Sequence, residues 1–321
     1  EKGTVVVEGV EYPMRDINLP TVDPANPFEL THEEEDVMVA LEASITKSPK
    51  LQDHIAYMYT NGSLYKVCNG NVLFHGCIPM HEDGEFREVE FKGQKYKGVE
   101  LLDALQAEIT DVFYNYPPGR ERAEAASVMW YLWLSPDSPL FGKGKMTTFE
   151  RLFIEDKSTH KEVMSPYFKK INDVQIVENI LEAFGLDKDR GKVLNGHVPV
   201  KFKDGESPIK GEGKLLVIDG GISKAYQKTT GIAGYTAIST SKHFYLAAHK
   251  PYEPLQEDGT QIFHHPEIHV VEELDERIQI RNSDQGEMLR AQIEDLERLN
   301  EEFKKGTIKE VYPAKGKYYS K

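Results

Sequence analysis

Three runs in this chain are short, almost wholly apolar, and stop at a glycine next to a polar side chain. They are Val72-Leu73-Phe74-His75-Gly76, Val193-Leu194-Asn195-Gly196-His197 and Leu215-Leu216-Val217-Ile218-Asp219-Gly220. A run this short cannot make a useful helix, and one that is apolar without alternation is buried on both faces, as in the interior of a sheet covered on both sides. Tyr235 to Ile238 and Phe244 to Ala248 share the pattern. Between the first two runs the period changes to that of a helix, with Leu102, Leu105, Ile109, Val112 and Tyr116 on one stripe before Pro117-Pro118. The chain therefore reads as α/β (α+β), a sheet protein with a helical insertion between two β-rich parts.

Thr31 and Glu34 stand in capping-box spacing ahead of Val37, Leu41 and Ile45, which predicts a helix ending before Pro49. Residues 55–59 read as a β-like run, followed by strands around the Asn61-Gly62 and Asn69-Gly70 turns. Further helices are expected over about 121–134, carrying Trp130 and Trp133 as core residues, and over about 174–184, closed by Gly185. Strands near 268–271 and 278–280 precede a charged helix over about 285–303, whose stripe Leu289, Ile293, Leu296 and Leu299 predicts packing along the body. The expected division is 1–50 for an N-terminal strand and helix, 51–250 for the main core with its insertion at about 85–190, and 251–321 for accessory strands and a C-terminal helix. The opening Glu1-Lys2-Gly3-Thr4, without an initiator Met, is expected to continue an upstream polypeptide.

A net charge of −14 argues against a nucleic-acid or anionic-membrane binder, so an anionic substrate would need cations concentrated locally. The two cysteines, Cys68 and Cys77, supply no disulfide framework or Cys-rich zinc site, which together with the lack of a membrane-length apolar run suggests the cytoplasm.

The chemistry is expected where buried strands stop. His75 is followed by a glycine that allows close backbone approach, and His197 lies between Gly196 and Pro199. Either histidine alone is more often structural. Together with the Asp219 strand end they form an ordered set: strand-His-Gly, helical insert, Gly-His-x-Pro, strand-Asp-Gly.

That order resembles the second half of the calcineurin-like metallophosphatases. The resemblance narrows at residues 65–80, 133–143, 146–151, 195–201 and 218–236, which are similar to the class III fructose-1,6-bisphosphatases of Firmicutes and related anaerobes. It implies part of a metallophosphatase-type αββα sandwich, with His75 and His197 as ligands of one ion of a two-metal, manganese-favouring centre. It also implies hydrolysis of the 1-phosphate of fructose 1,6-bisphosphate to fructose 6-phosphate in gluconeogenesis, by metal-activated water without a phosphoenzyme. The family's Asp-x-His, Gly-Asp-x-x-Asp and Gly-Asn-His-Asp motifs are not found before His75, and Asp53-His54 has the wrong spacing. The chain is thus expected to supply only part of the site, to need the missing N-terminal half as a partner, to be inactive alone, and to associate with itself or dissolve poorly.

Phosphate also calls for fixed cations. Arg151 and Lys201 are the leading choices, with Lys224 and Tyr226 in a loop over 224–228 that could cover the sugar phosphate. Lys143, Lys145, Lys210 and Lys214 read as surface charge, as do His264, His265 and His269 as surface imidazoles, while His249 is a cleft candidate. Asp219 is read either as a hydrogen-bond partner of a ligating histidine or as a cap in its Gly-rich turn. The competing functions are another calcineurin-like phosphoesterase, acting on phosphoproteins or dinucleotides, and a non-catalytic regulatory or assembly module.

Overall fold

A computed structural model of the chain describes residues 3–115, 119–221, 223–251, 253 and 264–309. They divide into two compact units, Glu1–Thr236 with Ala248–Glu267, and Ala237–Ala247 with Ile268–Lys321.

The first unit opens with the antiparallel hairpin β1 (Thr4–Val7) and β2 (Val10–Pro13). Helix α1 (His32–Thr46) starts on the expected capping box: the Thr31 hydroxyl accepts from Glu34 N, and the Glu34 carboxylate accepts from Thr31 N. Helix α2 (Pro49–Asn61) replaces the β-like run expected at 55–59. Ser48 caps it through Leu51 N and Pro49 sits in its first turn, so Leu51, Ile55 and Tyr59 recur every four residues, a period that a five-residue window conceals. Neither α1 nor α2 has a buried residue.

The strands that follow build the principal sheet. β3 (Tyr65–Cys68) and β4 (Asn71–Phe74) form an antiparallel hairpin turned by Asn69 and Gly70, both at positive φ. β5 (Val89–Phe91) and β6 (Gln94–Tyr96) form a separate hairpin that leads into α3 (Gly98–Tyr114). Leu101, Leu102, Leu105 and Val112 of α3 share one core with Leu64, Val89, and Val128 and Leu132 of the following helices. The expected second helix is two, α4 (Arg120–Ala125) and α5 (Ser127–Leu134). Trp130 and Trp133 are not core: they are 61% and 59% exposed and stack on each other at 5.4 Å. The reason is angular, since Val128 and Leu132 take the buried face of α5 and leave both indoles on its far side. Residues 116–118, including the predicted Pro117-Pro118 stop, lie outside the described residues.

The insertion continues with α6 (Thr148–Phe153), α7 (Tyr167–Lys170) and α8 (Val174–Ala183), the last capped by Asp173 and followed by Gly185 at φ 68°. Strand β7 (Val193–Asn195) then returns to the sheet, followed by β8 (Ile209–Lys210) and β9 (Leu215–Val217). The sheet order is β3-β4-β7-β9-β8, with β4, β7 and β9 parallel and the two outer strands antiparallel to their neighbours. Val72, Val193, Leu215 and Leu216 at its centre are fully buried. Residues 224–228 are helical, within α9 (Lys224–Thr230), where a loop was expected.

β10 (Gly234–Ser239), β11 (His243–His249) and β12 (Glu267–Glu273) form a three-stranded sheet in that order. Residues Ile280–Asn282 make a 3-10 turn in place of the strand expected at 278–280, because they lead directly into the cap at Ser283 of α10 (Asp284–Lys305). Within its own unit the Leu289, Ile293, Leu296 and Leu299 stripe of α10 is left uncovered. The mixture of several sheets and helices is α+β. Among the described residues no helix is long and apolar enough to cross a membrane.

Candidate metal centre

Parallel pairing brings the two histidines together. Phe74 of β4 stands opposite Asn195 of β7, so the residues just beyond both strands emerge at the same end of the sheet. Gly196 N then donates to His75 O at 3.0 Å, extending the ladder past the strand ends. His75 Nε2 lies 3.2 Å from His197 Nδ1, with the rings edge to face and their centroids 5.1 Å apart. More than a hundred residues of sequence separate two side chains that meet within hydrogen-bond distance.

His197 is held in one orientation. Its Nε2 is 3.0 Å from the Phe141 carbonyl, which can only accept, so Nε2 carries the proton and the Nδ1 lone pair faces His75. Phe168 stacks beside the imidazole at 6.1 Å. The backbone at His197 is left-handed, with φ 68°, a conformation costly to a side-chain-bearing residue and characteristic of functional positions. Burial pushes the His197 imidazole below its usual range, and the nearby His75 and Lys143 act the same way against the Phe141 bond and Asp219. The ring is therefore neutral at pH 7, as a metal ligand must be.

His75 Nε2 and His197 Nδ1 are the two nitrogens that would be offered to one cation. The set is incomplete, however. Among the described residues no group of three or more His, Cys, Asp or Glu side chains is placed to hold a metal.

Two residues that carry no chemistry of their own fix this geometry. Asn195 is 2% exposed, and its amide donates to the carbonyls of Phe74, His75 and Gly76 at 3.3, 3.1 and 2.6 Å, tying the end of β4 to β7. A buried Asn must find partners, so its position at the end of an apolar strand was a readable signal of this role. Gly76 admits the Pro139 carbonyl, 2.0 Å from where a Cβ would stand, and that carbonyl accepts from Cys77 N at 2.7 Å. The segment 138–142 thereby contacts the chain beside both histidines. Cys77 itself is buried, with its thiol pushed up to about 12 by desolvation, which makes it unreactive.

An open cleft of about 510 Å³ adjoins the pair, lined by Tyr65, Lys66, Leu73, His75, Leu194, Ile218, Asp219 and Tyr235 among others. The end of β4 lines this cleft through Leu73, Phe74 and His75, and the Phe74 ring packs against Tyr167 and Phe184. Asp219 accepts from Gly221 N at 2.8 Å, the turn-capping bond, and the residue is among those lining the same cleft.

Arg151, Lys201 and Tyr226 are not among the residues lining this cleft. Arg151 Nε donates to Thr147 Oγ1 at 2.9 Å and its guanidinium reaches the His160 carbonyl at 3.0 Å. Lys201 is exposed, with its backbone N–H on Glu206. Tyr226 is exposed on α9, and the side chain of Lys224 lies outside the described residues. Lys143, Lys145, Lys210 and Lys214 pair with Glu162, Glu8, Glu206 and Glu178. His249 bonds Thr236 Oγ1 at 2.8 Å, and His264 pairs with Glu253.

The parallel strand ends of this α+β protein present a histidine pair beside an open cleft, and sequence comparison gives the family. The sequence model of the Firmicute fructose-1,6-bisphosphatase family matches residues 1–305. The class 3 fructose-1,6-bisphosphatases of Alkaliphilus metalliredigens and Clostridium tetani are each 45% identical over 97% of this chain, and that of Fusobacterium nucleatum is 44% identical over 96%. The chain belongs to the Firmicute fructose-1,6-bisphosphatase family. It spans about half the length of these relatives, 47%, 47% and 48% respectively. No solved structure matches it at the same stringency.

Proposed function

We propose that this chain contributes the paired-histidine side of a metal-dependent phosphatase that hydrolyses the 1-phosphate of fructose 1,6-bisphosphate to fructose 6-phosphate in gluconeogenesis. The observation that carries this reading is the 3.2 Å approach of His197 Nδ1 to His75 Nε2, with the other His197 nitrogen tied to a backbone carbonyl. The relatives that share its sequence are named for that reaction.

In this reading His75 Nε2 and His197 Nδ1 hold one divalent cation, with manganese suited to imidazole alongside carboxylate. A pair of such ions supplies Lewis acidity to the phosphoryl group and to the attacking water. The bridging carboxylate and remaining ligands come from the part of the relatives that this chain does not span. The open Leu73–Leu194 side of the sheet is where a second layer would seat, completing an αββα metallophosphatase sandwich and placing its ligands opposite the histidines. Arg151, Lys201, Lys224 and Tyr226 then serve substrate only if that assembly brings the sugar phosphate to them. The reading assigns the protein to the cytoplasm, where free thiols such as Cys68 and Cys77 stay reduced.

The test uses the polypeptide at the relatives' full length. His75→Ala and His197→Ala should each lower manganese affinity and turnover of fructose 1,6-bisphosphate by more than about a hundredfold, beyond the loss seen for outer-shell partners. Unchanged metal content and turnover in both variants would refute the assignment. The 321-residue chain alone, supplied with manganese, should turn over little substrate.

A further inference from the structure

The segment from Ser135 to Gly144 does more than connect two helices. Its middle presents the Phe141 carbonyl to His197, and each of its ends is fastened by an ion pair. At one end Arg87 pairs with Asp137 and donates to the Pro136 carbonyl at 3.1 Å. At the other, Lys143 Nζ reaches Glu162 Oε2 at 2.9 Å, while Glu162 Oε1 accepts from Thr147 N and Thr147 Oγ1 at 3.1 and 3.0 Å. The backbone here is stitched as well, with Gly144 N on Val163 O and Ser165 N on Gly142 O at 2.8 and 2.9 Å.

We propose that Glu162 is a positioning residue for His197, acting through Lys143 and the 141–142 peptide to fix which imidazole nitrogen offers its lone pair. The peptide has little room to shift. Gly142 sits at φ 62°, and a Cβ there would stand 2.9 Å from the Phe168 ring and 3.5 Å from His197 Cδ2. The Lys143–Glu162 pair is the nearest ionic tie to that peptide, and Lys143 shares an antiparallel bridge with Met164. Glu162 is mostly buried, and its partners hold its carboxyl down to about 2, Lys143 contributing most, so the tie is ionised at physiological pH. Release of the tie removes the ionic restraint beside this closely packed peptide, and the Phe141 carbonyl then holds the Nε2–H form of His197 less firmly. As a contribution to catalysis this rests on the proposed phosphatase reading; as a statement about His197 it does not.

The experiment is nitrogen-15 NMR of the histidine rings in the metal-free 321-residue chain at a pH where they are neutral. In the unaltered chain His197 should be a single tautomer protonated at Nε2. Glu162→Gln should populate both tautomers and speed exchange of the Nε2 proton about tenfold, the net worth of roughly one hydrogen bond. Lys143→Arg, which keeps the ion pair, should retain the single tautomer. If Glu162→Gln does not fold, Lys143→Met cuts the same tie from its other partner and should give the same mixture. A lowered melting temperature with an unchanged His197 tautomer would show a merely structural role and overturn the proposal. So would an Nδ1-protonated ring in the unaltered chain. No metal or substrate enters the measurement, so failure of the phosphatase reading would leave the result standing, and the reverse holds too.

Discussion

The N-terminal helix pair and the histidine-bearing strand ends are made in opposite ways. α1 and α2 are specified by neighbours in sequence: Thr31 with Glu34, and Ser48 with Pro49 and Leu51. They bury no residue, and Val37, Met38, Leu41 and Ile45 of α1 are all more than half exposed. β7 lies between β4 and β9 as a parallel neighbour of both, and every residue of β7 and β9 is buried. Helical hydrogen bonds close within one segment, so caps can define α1 without a core. A parallel pair cannot close within one segment, and β4 meets β7 across more than a hundred residues.

That contrast can be broken or sharpened by substitution. The largest effect should come from Leu216→Ala at the fully buried centre of the sheet, a loss of about 2–5 kcal/mol of unfolding free energy by denaturant titration. A much smaller loss would mean that the sheet is not the stabilising core. Next, Asn195→Ala removes the amide shared by three backbone carbonyls and should cost about 1–3 kcal/mol, with chemical shifts of the His75 ring moving more than those of α3. Thr31→Ala should cost about 1 kcal/mol, confined to α1 and visible as faster amide exchange in its first turn; global destabilisation instead would contradict the picture of a locally closed helix. Leu41→Ala should change stability by less than about 0.5 kcal/mol in this chain, and a larger cost would reveal a partner for the exposed face of α1.

The same contrast explains what could be read in advance. α1, the Gly185 stop after α8 and the three strand ends at His75, His197 and Asp219 were legible because caps, glycines and unbroken apolar runs are local signals. α2 was mistaken for a strand because its cap lies outside the window that looked β-like. The indoles of Trp130 and Trp133 were mistaken for core because hydrophobicity does not say which face of α5 finds a neighbour. Arg151 and Lys143 drew attention as cations near the motifs, yet their partners, Thr147 and Glu162, are visible only once the chain is folded.

The amino-acid sequence alone determined the buried strands and the two imidazoles that end them, since burial and turn chemistry are written in short stretches. Only the tertiary structure decided that those imidazoles stand 3.2 Å apart, that the Phe141 carbonyl chooses the free nitrogen of His197, and that Asn195 secures the end of β4. Each is a distance between segments remote in sequence, set by strand register and loop packing, and no local pattern encodes either.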